Sequence, residues 1–380
     1  MKGVSAKEAA LYQRRREKVY DWMAREGVSM VMLEDAEGRR DSNLRWLSGQ
    51  PGDALLFLSV ERKAFLAPWD INLAQLYANA DYLRPYAEFE RRPIPACEKA
   101  AALFKIPRNS QIEIPPVTPY PRFLRFLEAL GDYDVICREE GGLAVTLEQM
   151  RAVKDEEEIR IYRQASAITD ELIELLEKNL RGGKIKTEYD AVQLIDGECR
   201  KRGCEGTGFE TLAAGPERSF AIHAFPPSTT APFGSRGLSI LDFGIRYRGY
   251  TTDVTLTVAA GPSRAQEQLI ALIEKAYKLA LGMAQPGAPS LDIAAAVDAL
   301  FARSSKTMPH ALGHGIGLDP HEAPALRNRG DNTWVLAPGM VITLEPGLYA
   351  PNLGGCRLEN DVLITEQGPE ALTASRIIRL

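Results

Sequence analysis

Two aspartates eleven residues apart, Asp242 and Asp253, lie in the stretch LSILDFGIRYRGYTTDVTLTV that runs from Leu238 to Val258. β-Branched and aromatic residues flank the segment Arg246-Tyr247-Arg248-Gly249, whose turn chemistry predicts a hairpin. With the turn centred between Tyr247 and Arg248, antiparallel pairing sets the two carboxylates directly across from one another on one face. Like charges so placed repel and destabilise the sheet. Leu241, Phe243 and Val254 predict strands at least half buried, where an uncompensated anion pair is costlier still. No Lys or Arg alternates onto that face. Two readings stay open: a metal cation held between the carboxylates, or a frayed register that leaves one aspartate in solvent.

A second such stretch, MVITLEPGLYAPNLGGCRLENDVLITE from Met340 to Glu366, repeats the pattern. With its turn around Asn352, Glu345 and Glu359 come opposite each other. Between the two stretches, MPHALGHGIGLDPHEAP holds His310, His314 and His321, three of the four histidines in the chain. Gly313, Gly315 and Gly317 make a helix there implausible and point to a glycine-rich strand or loop that lets the backbone approach something closely. The glycine spacing is not that of a dinucleotide fingerprint. A lone histidine in such a place is more often structural, whereas three within twelve residues favour a site. Four carboxylates and one imidazole are the donors that two divalent ions bridged by shared carboxylates require. Hard oxygen donors without thiols favour Mn, Co or Fe, with Zn possible. A centre of that kind lowers the pKa of a bridging water and polarises a carbonyl, which equips it to hydrolyse an amide.

The elements that must position these residues fall into two parts. From about residue 10 to 140 helical and strand patterns alternate. Val19, Trp22 and Met23 give a helical stripe, and strands are expected at 28–33, 54–60, 63–67, 111–114 and near 134–137. Helices are expected around 97–104 and 120–130. This first part, taken as 1–150, reads as an α/β layer domain without a histidine and so with a supporting role. The pattern lapses between Glu139 and Lys154. A long amphipathic helix then begins, with Asp155 and Glu158 as a capping box and Ile159, Tyr162, Ile168, Leu172 and Leu176 on one face. Further helix starts are expected at Thr187, Ser263 and Ser290. The second part, 151–380, therefore reads as an α+β domain containing the hairpins and all four histidines.

At 380 residues a two-domain chain is the default. A formal net charge of -5 gives no general pull toward nucleic acid or an anionic membrane. No stretch has the apolar length of a membrane span, and the charged N-terminal residues do not read as a signal peptide. Five scattered cysteines, odd in number and without CxxC spacing, fit a reduced, cytoplasmic setting.

The order Asp242, Asp253, His314 within HALGHGIGLDPHE, Glu345 within TLEPG and Glu359 within RLEND resembles the M24 metallopeptidase family of methionine aminopeptidase, aminopeptidase P and prolidase. The first part is similar to the N-terminal domain of prolidase, aminopeptidase P and creatinase, and RAVKDEEEIRIYRQA resembles their linker helix. The resemblance implies an α/β N-terminal domain followed by an α+β pita-bread catalytic domain with two metal ions. In that scheme Asp253 and Glu359 bridge both ions, Asp242 completes one site, and His314 with Glu345 completes the other. Glu345 would also exchange a proton with the bridging water. His223, in RSFAIHAFPP, matches a histidine that contacts substrate, and His321 one that stabilises the tetrahedral intermediate. His310 resembles a histidine lining the pocket for the residue after the scissile bond, and Arg357 an arginine that holds substrate or the active-site carboxylates. Without the resemblance, His310 and Arg357 would serve equally well as hydrogen-bonding supports of the loop. Ala311 stands where the family usually has glycine, and Leu256 where the second strand often has arginine.

The implied activity is hydrolysis of the bond before proline, as a prolidase or as an aminopeptidase P. Methionine aminopeptidase resembles the second part alone. Creatinase, an amidinohydrolase, shares both domains but works without metals, and peptide-binding modules built on this fold lack the ligands. The resemblance also implies a homodimer. A single-chain mass by light scattering at micromolar concentration would refute that expectation.

Overall fold

A Gly-free helix, Ala6–Glu26, opens the described part of the chain, which in this computed structural model comprises residues 3–380. Contacts divide the chain into two compact units, one ending at Met150 and the other spanning Arg151–Leu380.

In the first unit a mixed six-stranded sheet runs in the order Tyr82–Leu83, Lys63–Pro68, Ala54–Ser59, Val28–Asp35, Gln111–Glu113, Asp134–Ile136. The three longest strands pair antiparallel, and the outer ones join parallel. Their continuous apolar runs are buried on both faces, as expected of a sheet covered by helices. Helices Pro93–Phe104 and Tyr120–Ala129 lie where the periodicity places them. Two short helices, Ser42–Ser48 and Ile71–Tyr77, escape the sequence pattern. At seven residues each they are too brief for periodicity, and their only local sign is the capping aspartate, Asp41 or Asp70.

The expected lapse after Glu139 is corrected. Leu143–Ala152 is a helix, and its first amide is held by the Glu113 carboxylate at 2.7 Å. That cap comes from a residue thirty positions away, so no local pattern announces it.

In the second unit the long helix Glu156–Arg181 buries Tyr162, Leu172 and Leu176, while Ile159 and Ile168 are half-buried. Reciprocal capping boxes at Asp155/Glu158, Thr187/Asp190 and Ser263/Gln266 start the helices Glu156–Arg181, Glu188–Lys201 and Arg264–Met283. Each box stabilises its helix by about 1 kcal/mol. A fourth helix is Ser290–Ala302.

Two sheets carry the site. One has the order Ile377–Arg379, Val254–Ala260, Gly237–Phe243, Leu212–Ala214; the other has Glu322–Leu326, Gly313–Gly315, Val341–Leu344, Asn360–Thr365, Gly368–Ala371. Helices Glu156–Arg181 and Glu188–Lys201 pack on the first through Leu172, Leu176, Ile195, Leu241, Phe243 and Leu256. Helices Arg264–Met283 and Ser290–Ala302 pack on the second through Ile273, Val297, Ile342 and Val362. Strand alternation then leaves polar residues on the remaining faces. The sheets join where Glu359 donates its amide to the Thr255 carbonyl at 3.2 Å.

The register of the first hairpin differs from expectation. Tyr247 pairs with Tyr250, so the turn is centred between Arg248 and Gly249, both with φ in the left-handed region (51° and 88°), as a two-residue primed turn requires. Thr255, not Asp253, therefore lies across from Asp242. Asp253 falls on the same face, one diagonal step along, opposite Gly244, where a Cβ would collide with the Thr252 carbonyl. The diagonal step separates the carboxylates further than direct opposition would. In the second hairpin the expected register is found: Leu344 pairs with Asn360 and Gly347 with Arg357, which sets Glu345 across from Glu359.

Candidate metal centre

Glycine geometry decides how the histidine-bearing strand enters the site. Gly313 and Gly315 lie flush against the Thr343 and Ala323 carbonyls, with no room for a Cβ on either, so the backbone of Gly313–Gly315 inserts between its neighbours and presents His314 alone. The His314 Nδ1 lies 3.0 Å from the Gly315 carbonyl, which can only accept, so Nδ1 carries the proton. Nε2 is then a bare lone pair. It faces Asp253 Oδ2 at 3.8 Å and Glu345 Oε1 at 3.6 Å. Burial, followed by the neighbouring His321, pushes His314 down to about 4, so protonation does not relieve this lone-pair-to-carboxylate contact near neutral pH.

Asp253, His314 and Glu359 each offer a donor atom within 4.8 Å of the other two. Asp253 and Glu359 are almost fully buried. Burial and then Glu359 raise the Asp253 carboxyl well above its ordinary value; burial and then Glu359 do the same to Glu345; burial and then Asp242 push Glu359 up to about 7. Asp242 Oδ1 is buried without a hydrogen-bond partner among the described residues. A bare imidazole nitrogen, an orphaned carboxylate oxygen and three carboxyls strained by their own proximity make a donor set that divalent cations satisfy.

Arg357 qualifies the expectation that no cation reaches the face of Asp242. None does from the hairpin itself, yet Arg357, fully buried in the other hairpin, donates Nη2–H to Asp242 Oδ2. Its Nε–H bonds Thr255 Oγ1 at 2.9 Å, and Thr255 in turn donates to Glu359 Oε2 at 2.7 Å. Its Nη1–H reaches Tyr349 OH at 2.7 Å, and that hydroxyl lies 3.0 Å from His310 Nε2. His310 Nδ1 faces the Ala311 carbonyl at 2.8 Å, so both ring nitrogens are engaged, and burial lowers its pKa to about 4. The ring of His321 stands 4.2 Å from that of His314, while His223 is exposed on the loop before the first hairpin.

All nine residues singled out in the sequence, Asp242, Asp253, His314, Glu345, Glu359, His223, His310, His321 and Arg357, line one cavity of about 620 Å³. Phe209, Leu212, Ile222 and Phe225 form an apolar wall in it. Ala311 also lines it, whereas Leu256 faces away into the core. Sequence reasoning missed three supporting residues: Thr255, Tyr349, and Asp361, which accepts the Asp253 amide at 3.2 Å. Thr255 is announced only by the true hairpin register, and Asp361 and Tyr349 by their two- and four-residue distances from ligand candidates.

The profile of metallopeptidase family M24 matches residues 160–366, more than half of the 380-residue chain. The chain belongs to this family. YkvY of Bacillus subtilis (strain 168) is 30% identical over 372 residues, covering 94% of this chain and 96% of its own length. The solved X-Pro aminopeptidase of Thermotoga maritima superposes with a TM-score of 0.82 at 27% identity, over 96% of this chain and 99% of that one. The prolidase of Pyrococcus furiosus gives a TM-score of 0.78 at 24% identity, over 94% and 99%. The fold is thus the two-domain pita-bread fold of the M24 metallopeptidases, and membership implies a peptide substrate and divalent metal ions. Among the described residues no helix is long and apolar enough to cross a membrane.

Proposed function

We propose that this M24 metallopeptidase hydrolyses Xaa-Pro peptide bonds with two divalent ions, manganese or cobalt in first place. The observation that carries this reading is the convergence of Asp242, Asp253, His314, Glu345 and Glu359 on one cavity, with a bare imidazole nitrogen and an orphaned carboxylate oxygen among their donors. Asp253 and Glu359, the most deeply buried of the five, would help hold both ions. Asp242 would help hold one ion, and His314 with Glu345 the other. When bound, the ions supply a water of lowered pKa and polarise the scissile carbonyl.

The chain's own residues do the rest. Glu345, whose carboxyl is raised by burial and Glu359, accepts a proton and returns it to the leaving nitrogen. His321 and His223, on loops at the cavity edge, are the donors for the oxyanion and for the substrate backbone. Arg357 fixes the orientation of Asp242 and, through Tyr349, the ring of His310, which lines the pocket for the residue after the cut. The similarity to the X-Pro aminopeptidase supports proline in that pocket. In this reading the protein works as a homodimer.

The deciding experiment is hydrolysis of Ala-Pro beside Ala-Pro-Ala by metal-stripped protein with and without added Mn or Co. Metal-restored cleavage is expected, the preferred length distinguishing dipeptidase from aminopeptidase. Cleavage of neither peptide by loaded protein overturns the proline reading and leaves a different amide substrate or a peptide-binding role.

A further inference from the structure

A cluster of four charged side chains lies beyond the candidate metal centre, in the second unit. Arg151 and Lys154 are buried, Lys154 to 1% side-chain exposure, and both contact Glu322, itself 7% exposed. Lys154 Nζ is 3.3 Å from Glu322 Oε2, and Arg151 Nη2 bonds Glu322 Oε1 and also Asp319 Oδ2 at 2.9 Å. The Asp319 amide donates to Glu322 Oε1 at 3.0 Å. Gly317 has no room for a Cβ because the Glu322 carboxylate is seated against its backbone. The turn from Gly317 to Glu322 is thereby closed around a single carboxylate, and its fifth residue is His321. The segment that supplies the cations is tied at its other end: the Lys154 amide bonds the Gly339 carbonyl at 2.9 Å, just before the strand Val341–Leu344 that leads into Glu345.

Two buried cations set against two carboxylates are poor value as stabilisation, because desolvation offsets most of the attraction. Their geometric effect is different. Bonding by one Arg151 nitrogen, Nη2, to residues on both sides of His321 ties the two ends of that turn together and restricts its arrangement. We infer that Arg151, Lys154 and Glu322 are positioning residues, which hold His321 over the cavity in register with Glu345. The inference rests on the reading of His321 as a donor to the reacting carbonyl. Placement errors of about 1 Å at such a donor cost about 10²-fold in rate.

The test is a double-mutant cycle in metal-loaded full-length protein on the Xaa-Pro peptide it cleaves, with Glu322→Gln, Arg151→Met and His321→Ala. The expected result is that Glu322→Gln and Arg151→Met each lower kcat by about tenfold or more at little change in KM, and that neither lowers it further once His321 is alanine. Lys154→Arg, which keeps the charge, should retain most of kcat where Lys154→Met does not. Additive losses in the His321→Ala background, or full kcat in Arg151→Met, overturn the inference. Full kcat in His321→Ala alone overturns instead the reading of His321 on which it rests. Should Glu322→Gln fail to fold, Arg151→Met and the Lys154 pair decide the outcome by the same cycle.

Discussion

Replacing Glu345 with alanine is expected to remove turnover while leaving the fold intact, and His314→Ala to do the same. Removal of a positioned proton carrier costs about 10²–10⁴-fold in rate, and each substitution also deletes a proposed ligand. The fold should survive because neither side chain holds the second unit together. Glu345 is pushed up by burial and by Glu359, so its removal relieves like-charge crowding in metal-stripped protein. His314 Nε2 stands 3.8 Å from Asp253 and 3.6 Å from Glu345, beyond hydrogen-bond distance, so its loss removes no bond to either carboxyl. The helix-on-sheet layers that carry most of the buried apolar surface lie on the far faces of both sheets. Thermal denaturation of stripped protein should therefore give a midpoint equal to or above that of the unaltered chain, alongside kcat lowered at least a hundredfold. Retained hydrolysis in either variant refutes the assignment of these residues. Lost hydrolysis accompanied by a collapsed denaturation midpoint refutes the claim that they act on chemistry alone.

Much of this arrangement is legible from the chain because donors of one kind recur at hairpin spacing. Glu345 and Glu359 face one another in the expected register, since the turn around Asn352 is bracketed by regular pairs on both sides. The first hairpin misleads by two positions in its pairing sum. Its turn requires left-handed φ at both central residues, and an arginine, Arg248, fills one of them, where asparagine or glycine would have been the readable signal. The partners of Asp242 are equally hidden: Arg357 and Thr255 reach it or its neighbours from strands more than a dozen positions distant. The three capping boxes of the second unit are legible because both halves lie within four residues. The helix Leu143–Ala152 is missed for the opposite reason, its cap being Glu113. Local chemistry is visible in sequence to the extent that its partners are local, and the carboxylate crowding at this centre is visible only because two hairpins each confine it to a short span.

Metal loading is expected to raise the denaturation midpoint by an increment that grows with pH between about 5.5 and 7.5, and to tighten by about tenfold per pH unit for each proton displaced. The sign follows from the native protonation states. Glu359, pushed up to about 7, together with Asp253 and Glu345, which are raised above the ordinary carboxylate range, retains protons in stripped protein that bound cations must displace. His310 and His314, lowered to about 4, are already neutral across this window and release nothing. In stripped protein alone the two sets act in opposite directions. Raised carboxyls contribute stability that is lost as pH climbs from the ordinary carboxylate value through their raised values, about 7 for Glu359, while the depressed histidines contribute stability that is gained between about 4 and their ordinary value near 6.5. The difference between loaded and stripped protein at one pH cancels the unfolded state, and with it the histidine contribution, leaving the carboxyls. Differential scanning calorimetry with and without Mn at several pH values reads that difference directly. An increment that is flat or shrinks as pH rises would mean that the crowded carboxyls of Asp253, Glu345 and Glu359 are not where the cations bind.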